Sequence, residues 1–287
     1  STWTTHGVRV TPRGEGARPG QADATVLVVG DSSTEGLMVD DREVFPAVAQ
    51  AALDEEAVGV RLVNAGRSTM SAADYVALAP RYKELFGPSW TVVQLRSSDL
   101  ADDAWGPGRT RFERDSTGQL IARTVVQERR TGRAGMLFDL RQKSMLLGYG
   151  AVRLGRFRAA AEAEPPMFQA SRKPAPSPPA PTPPVEEELA LLLRAWDNRL
   201  TLLFLSEADD PDGIEERVQQ YCQRNRVSCI FTAAAFADLR ARGRDPYGFS
   251  NTYVGTGHMN ADGHAATGAL VAAEIRLVRE AIMEARR

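Results

Sequence analysis

The chain has 287 residues, 43% of them hydrophobic and 25% charged, with a formal net charge of −2. That is enough to bury one substantial core, or two small ones, in the composition of an ordinary globular protein. The near-neutral balance gives no electrostatic case for nucleic acid or an anionic membrane, and no apolar run approaches the roughly 20 residues of a membrane span or reads as a secretory signal. In chain order, the apolar run Thr25-Val26-Leu27-Val28-Val29 predicts a first strand, closed by Gly30-Asp31-Ser32-Ser33-Thr34. An amphipathic helix is predicted from Glu43 to Glu56, a second strand at Val60-Arg61-Leu62-Val63 ending in Asn64-Ala65-Gly66, and a helix from Ala72 to Leu85. Trp90 to Leu95 reads as a third strand. Leu200 to Leu205 and Val227 to Phe231 read as two more, with a helix between them and another after, and the segment from Ala261 to Ala285 closes the chain as one helix. This alternation predicts an α/β fold with three α/β/α layers and a mostly parallel central sheet.

The stretch 101–188 breaks the rhythm. Arg111-Phe112-Glu113 and Leu120-Ile121-Ala122-Arg123 flank Asp115-Ser116-Thr117-Gly118 and predict a hairpin. A basic helix is expected from Met136 to Ala161, followed by the proline-rich segment 173–184, whose composition favours extended polyproline backbone and cannot form a packed core. The whole region reads as an insertion in one domain after the third strand, either a lid or a solvated spacer. Cys222 and Cys229 flank a helix-to-strand turn where either a disulfide or two buried thiols would fit. No Cys/His spacing suggests a metal site.

A buried strand that turns sharply into a helix carries its turn residues at the carboxyl edge of the sheet, where α/β proteins usually bind small molecules. Ser32 is therefore a candidate nucleophile, the alternative being a helix cap. The chain has three histidines, His6 in an irregular N-terminal stretch and His258 and His264 near the far end. An early serine and a late histidine are what nucleophilic catalysis by a hydroxyl needs, because imidazole titrates near neutral pH and can take the proton.

Together these pieces resemble the SGNH (GDSL-type) hydrolases. Gly30-Asp31-Ser32, with Thr34 and Gly36, is similar to the first block of that family, and Asn64-Ala65-Gly66 to the second. Arg96-Ser97-Ser98-Asp99 stands in the place of the third, with Ser98 where the family has Asn. His258-Met259-Asn260, with Gly263-His264, is similar to the last. The resemblance implies a flavodoxin-like three-layer fold, Ser32 as nucleophile, and His258 as general base. It further implies an oxyanion hole from the Ser32 and Gly66 amides with Ser98, and supporting roles for Asp31, Asn64 and Asp99. It implies no cofactor and no metal.

The family usually places an acid two or three residues before the histidine, where this chain has Gly255 and Thr256. Either a backbone carbonyl holds His258 in a Ser-His dyad, or Asp245 or Asp262 swings in, or the site is impaired. Asp262 otherwise reads as a helix N-terminal residue, Asp245 as a turn residue and His264 as structural. Gly66 alone could equally end a strand in left-handed backbone. Arg96 could contact an acidic or sugar group of the substrate, or pair with a neighbouring Asp. The expected reaction is hydrolysis of an ester on a small molecule or glycan, with an acyl group such as acetyl on carbohydrate as the first choice. The rivals are an O-acyltransferase on the same acyl-enzyme and a degenerate glycan- or protein-binding member. Thr5-His6-Gly7-Val8-Arg9 resembles a lead-in of bacterial members. By that analogy the chain is expected to be extracytoplasmic, either periplasmic, secreted or anchored through a segment ahead of Ser1, with the cytoplasm as the alternative.

Overall fold

Apolar runs bounded by glycine can bury both faces only when helices cover a parallel sheet from either side. The computed structural model describes residues 9, 11–12, 24–101, 110–124, 184–207, 213–249, 254–255 and 257–286. The described strands are β1 (Ala24–Val29), β2 (Val60–Asn64), β3 (Trp90–Leu95), β4 (Thr110–Arg114), β5 (Leu120–Thr124), β6 (Leu200–Phe204) and β7 (Ser228–Phe231). Five form one sheet in the order β2-β1-β3-β6-β7, every neighbouring pair parallel. The register pairs Val28 with Asn64 on one side and with Val92 on the other. The turn after β1 therefore sits between the loop after β2 and the end of β3.

The described helices are α1 (Ser32–Glu35), α2 (Phe45–Glu55), α3 (Ala72–Phe86), α4 (Ser97–Ala101), α5 (Val185–Ala195), α6 (Ile214–Asn225), α7 (Ala233–Ala241), α8 (Ala261–Leu277) and α9 (Arg279–Ala285). On one face Phe45, Leu53, Phe236, Val271, Ile275 and Ile282 from α2, α7, α8 and α9 close over Val26, Val28 and Leu203. On the other, Tyr75, Leu189, Leu192 and Val218 from α3, α5 and α6 close over Leu27, Val93 and Leu202. Burying one such aliphatic or aromatic side chain contributes about 1.5–3 kcal/mol. The three-layer α/β/α fold is the one predicted.

α2 and α8 lie side by side and run parallel. At their starts, Phe45 N–H donates to His264 Nδ1 at 3.3 Å. At their ends, Arg276 pairs with Glu56 through Nε–Oε2 and Nη2–Oε1 contacts of 2.7 and 2.6 Å. Between them Gly268 packs so tightly that a Cβ would come within 2.6 Å of Val48 Cβ. Both helices thus begin at the carboxyl edge of the sheet.

The structure departs from the sequence expectation in two places. The predicted closing helix is interrupted at Val278, which separates α8 from α9. α5 was not anticipated, although Val185, Glu188, Leu189, Leu192 and Leu193 repeat at helical spacing and form its buried face. The helix predicted from Ala72 to Leu85 is present as α3, which runs through Pro80 to Phe86 at the cost of one backbone hydrogen bond. Cys222 and Cys229 form a disulfide. The hairpin is present as β4 and β5, antiparallel with Phe112 opposite Ala122. The expected helix from Met136 to Ala161 and proline-rich residues 173–183 lie outside the described residues, as does His6.

Candidate active site

α1 is a single helical turn, too short to persist by its own hydrogen bonds. Buried polar contacts hold it from every side. Asp31 caps it, its Oδ1 accepting the Ser33 N–H at 2.8 Å. Gln94 Oε1, from β3, accepts the Asp31 N–H at 3.1 Å and the Thr34 hydroxyl at 2.9 Å. Asn64 Nδ2 donates to Thr34 O at 2.8 Å. Glu35 reaches the β2 loop, where its Oε2 accepts the Ser68 N–H at 2.7 Å and also contacts the Ser68 hydroxyl. Gly30 has no room for a side chain, since a Cβ would lie 2.0 Å from Thr34 Oγ1.

Arg9, from ahead of β1, completes the cradle. Its guanidinium is 2% exposed and donates to Glu35 O at 2.7 Å, to Gly36 O and to Val39 O at 3.1 Å. Asp41 balances its charge, with Nε donating to Oδ1 at 2.8 Å. Glu35 O and Gly36 O lie at the C-terminal end of α1, where a cation is favoured. Sequence reasoning missed Arg9, Glu35 and Gln94 because their partners are distant in the chain.

Ser32 itself is half-buried, and neither its hydroxyl nor its N–H has a hydrogen-bond partner among the described residues. His258 lies in the loop before α8. Gly248 N–H donates to its carbonyl at 2.9 Å, and the adjacent Met259 bridges to Tyr247. Tyr247 in turn donates its hydroxyl to Ser206 O, just past β6, at 3.2 Å. This pins the histidine loop over the carboxyl edge, the same edge as the α1 turn. The His258 ring is exposed and makes no hydrogen bond among the described residues.

The two carboxylates considered as a third member are engaged elsewhere. Asp262 pairs with Arg244, Nε to Oδ2 at 2.8 Å. Asp245 Oδ1 accepts the Tyr247 N–H at 3.1 Å, and Oδ2 lies 3.8 Å from Arg240 Nε. Thr256 lies outside the described residues. His264 is 1% exposed, stacked on Phe45 with ring centroids 6.1 Å apart. Burial, reinforced by the charge of Arg9, pushes its pKa down to about 3, so it stands neutral in the core.

The expected oxyanion residues divide. Ser98 is exposed near the start of α4, on the site edge. Gly66 is buried, and its N–H donates to Asn64 Oδ1 at 3.0 Å. The next two amides of that loop are also taken, Arg67 N–H by Gly30 O and Ser68 N–H by Glu35. Gly66 instead explains the close docking of α1, because a Cβ there would lie 2.4 Å from Glu35 N. In this conformation its amide is not presented to a substrate, which departs from the role the sequence resemblance implied.

At the end of β3, Arg96 makes ion pairs rather than facing solvent alone. Its Nε lies 3.1 Å from Asp31 Oδ2, in contact but not aligned for a hydrogen bond, and its Nη1 donates to Glu207 Oε1 at 3.1 Å. Burial works against its charge, but Asp31 and then Glu207 outweigh it and hold the guanidinium charged. Asp99 closes the turn, with Arg96 N–H donating to its Oδ2 at 2.9 Å and Asp99 N–H donating to Arg96 O. Burial pushes the Asp99 carboxyl well above the usual range, and the neighbouring Asp31 charge adds to the rise. With two carboxylates already on Arg96, an acidic substrate group would meet a neutralised cation.

Among the described residues no group of His, Cys, Asp and Glu could hold a metal ion, and no helix is long and apolar enough to cross a membrane. No protein-family model matches the chain, and no curated protein matches it. Among solved structures, the chain is similar to TesA, at 16% identity over 88% of this chain and 99% of that one, with a TM-score of 0.47. It is also similar to a member of the lipolytic protein G-D-S-L family from Veillonella parvula DSM 2008, at 12% identity over 89% and 97%, TM-score 0.45. A third is the acetylxylan esterase Axe2 from Geobacillus stearothermophilus, at 14% identity over 93% and 96%, TM-score 0.45. The likeness is one of fold and decides nothing about the reaction.

Proposed function

We propose that the chain is a serine ester hydrolase, with Ser32 as nucleophile and His258 as general base. The substrate class is an acyl ester, such as acetyl, carried by a carbohydrate or small molecule. The observation that carries this reading is the parallel packing of α2 and α8, whose common start supports the meeting of the Ser32 turn and the His258 loop on one edge. In acylation Ser32 Oγ attacks the carbonyl carbon while His258 takes its proton. The tetrahedral oxyanion collapses, and the leaving alcohol takes the proton from His258. Water then repeats the sequence on the acyl-enzyme.

Two donors support the oxyanion, the Ser32 N–H and the exposed Ser98 hydroxyl. With Gly66 N–H committed to Asn64, the rate falls short of a fully preformed hole by about 10²–10³ for each missing donor. That same commitment favours a second reading, a site that binds its ligand without turnover. In the hydrolase reading the protein works outside the cytoplasm, which the Cys222–Cys229 disulfide supports.

Labelling with a fluorophosphonate, together with hydrolysis of p-nitrophenyl acetate, tests the proposal. The wild type is expected to label and turn over, Ser32→Ala to do neither, and His258→Ala to react about 10²–10⁴-fold more slowly. Labelling of Ser32→Ala at the wild-type rate, or no labelling of the folded wild type, overturns it.

A further inference from the structure

Arg96 occupies the end of the central strand, with β1 on one side and β6 on the other. Its side chain is 21% exposed and touches an acidic residue from each neighbour, Asp31 after β1 and Glu207 after β6. Both contacts lead to the proposed reacting groups. Through Asp31, whose other oxygen caps the Ser33 N–H, the cation reaches the turn that carries Ser32. Through Glu207 it reaches the Ser206 carbonyl that holds Tyr247, and Tyr247 bridges to Met259 beside His258.

We propose that Arg96 is the positioning residue of the site, a cationic clasp that holds the serine turn and the histidine loop in register across three strand ends. This rests on the reading of Ser32 and His258 as the reacting pair. The clasp supplies alignment that a carboxylate on the histidine would otherwise share, since Asp245 and Asp262 are engaged with Tyr247 and Arg244. A guanidinium suits the task, because its planar fork addresses two carboxylates at once, whereas an ammonium is a point charge. Asp99 orders the Arg96 backbone, its Oδ2 accepting the Arg96 N–H.

The test uses the full chain with Arg96→Met, Arg96→Lys, Glu207→Gln and the double variant Arg96→Met/Glu207→Gln. Fluorophosphonate labelling rate, kcat and KM for p-nitrophenyl acetate, and urea midpoints are measured for each. Arg96→Met is expected to lower the labelling rate and kcat about 100-fold with KM changed less than about threefold, the loss typical of a small misplacement of reacting groups. Arg96→Lys recovers about tenfold of that loss. Glu207→Gln loses about five- to tenfold alone and adds nothing to Arg96→Met, as coupled partners should. Wild-type labelling of Arg96→Met overturns the proposal. So does a rise in KM with kcat intact, which would make Arg96 a substrate contact, or a full additional loss in the double variant. An unlabelled wild type would instead refute the Ser32 assignment itself and is distinguishable from all of these.

Discussion

Acid should weaken this protein through one buried ring. His264 carries a pKa of about 3 in the fold, against about 6.5 for an unfolded histidine. Its burial in neutral form is therefore fully tolerated above about pH 6.5, and stability is lost as pH falls, by about 1.4 kcal/mol per unit until about pH 3. Between pH 7.5 and pH 5 that amounts to about 2 kcal/mol. His264→Gln removes the titration and keeps an acceptor for the Phe45 N–H, which now donates to Nδ1 at 3.3 Å. Urea unfolding of both proteins at pH 7.5, 6 and 5 isolates the effect, because Asp99 and the other carboxyls titrate alike in each. The wild type should lose about 2 kcal/mol more than the variant over that range. Parallel stability curves, agreeing within about 0.5 kcal/mol, would refute the assignment of a neutral, water-excluded histidine at the α2–α8 junction.

Gly66→Ala should displace α1, because the new methyl would lie 2.4 Å from Glu35 N and 2.5 Å from Thr34 C, both backbone atoms. A loss of about 2 kcal/mol in urea unfolding and about 100-fold in fluorophosphonate labelling is expected, and an unchanged labelling rate would show that α1 tolerates the shift. Cys222→Ser with Cys229→Ser removes a bridge spanning seven positions. The urea midpoint should drop by the equivalent of about 2 kcal/mol, and the same drop should follow reduction of the wild type.

Local pattern is enough for the sheet. Strands buried on both faces are mostly apolar, so β1, β3 and β6 stand out as runs broken only by Thr25, Thr91, Gln94 and Thr201, and β3 begins and ends at Trp90 and Leu95 as read from the chain. Glycine at Gly30 marks the sharp exit after β1, since any larger residue would strike Thr34 and Gln94. The α5 helix was also legible in principle, from Leu189, Leu192 and Leu193 at helical spacing, but the adjoining proline run obscured its start. The break at Val278 has no such local mark, because no proline or glycine stands near it, the last glycine of that segment being Gly268.

The identities of the serine and the late histidine are written in the chain, since only a hydroxyl and an imidazole in those places can do the proposed chemistry. What surrounds them is not. Arg9 caps carbonyls 26 and more residues away, Gly66 gives its amide to Asn64, and Arg96 divides itself between Asp31 and Glu207. Each of these partners was available to several groups of the right charge or polarity. The choice among them depends on which strand ends the parallel sheet brings side by side, and on which polar groups it shuts away from water and so compels to pair.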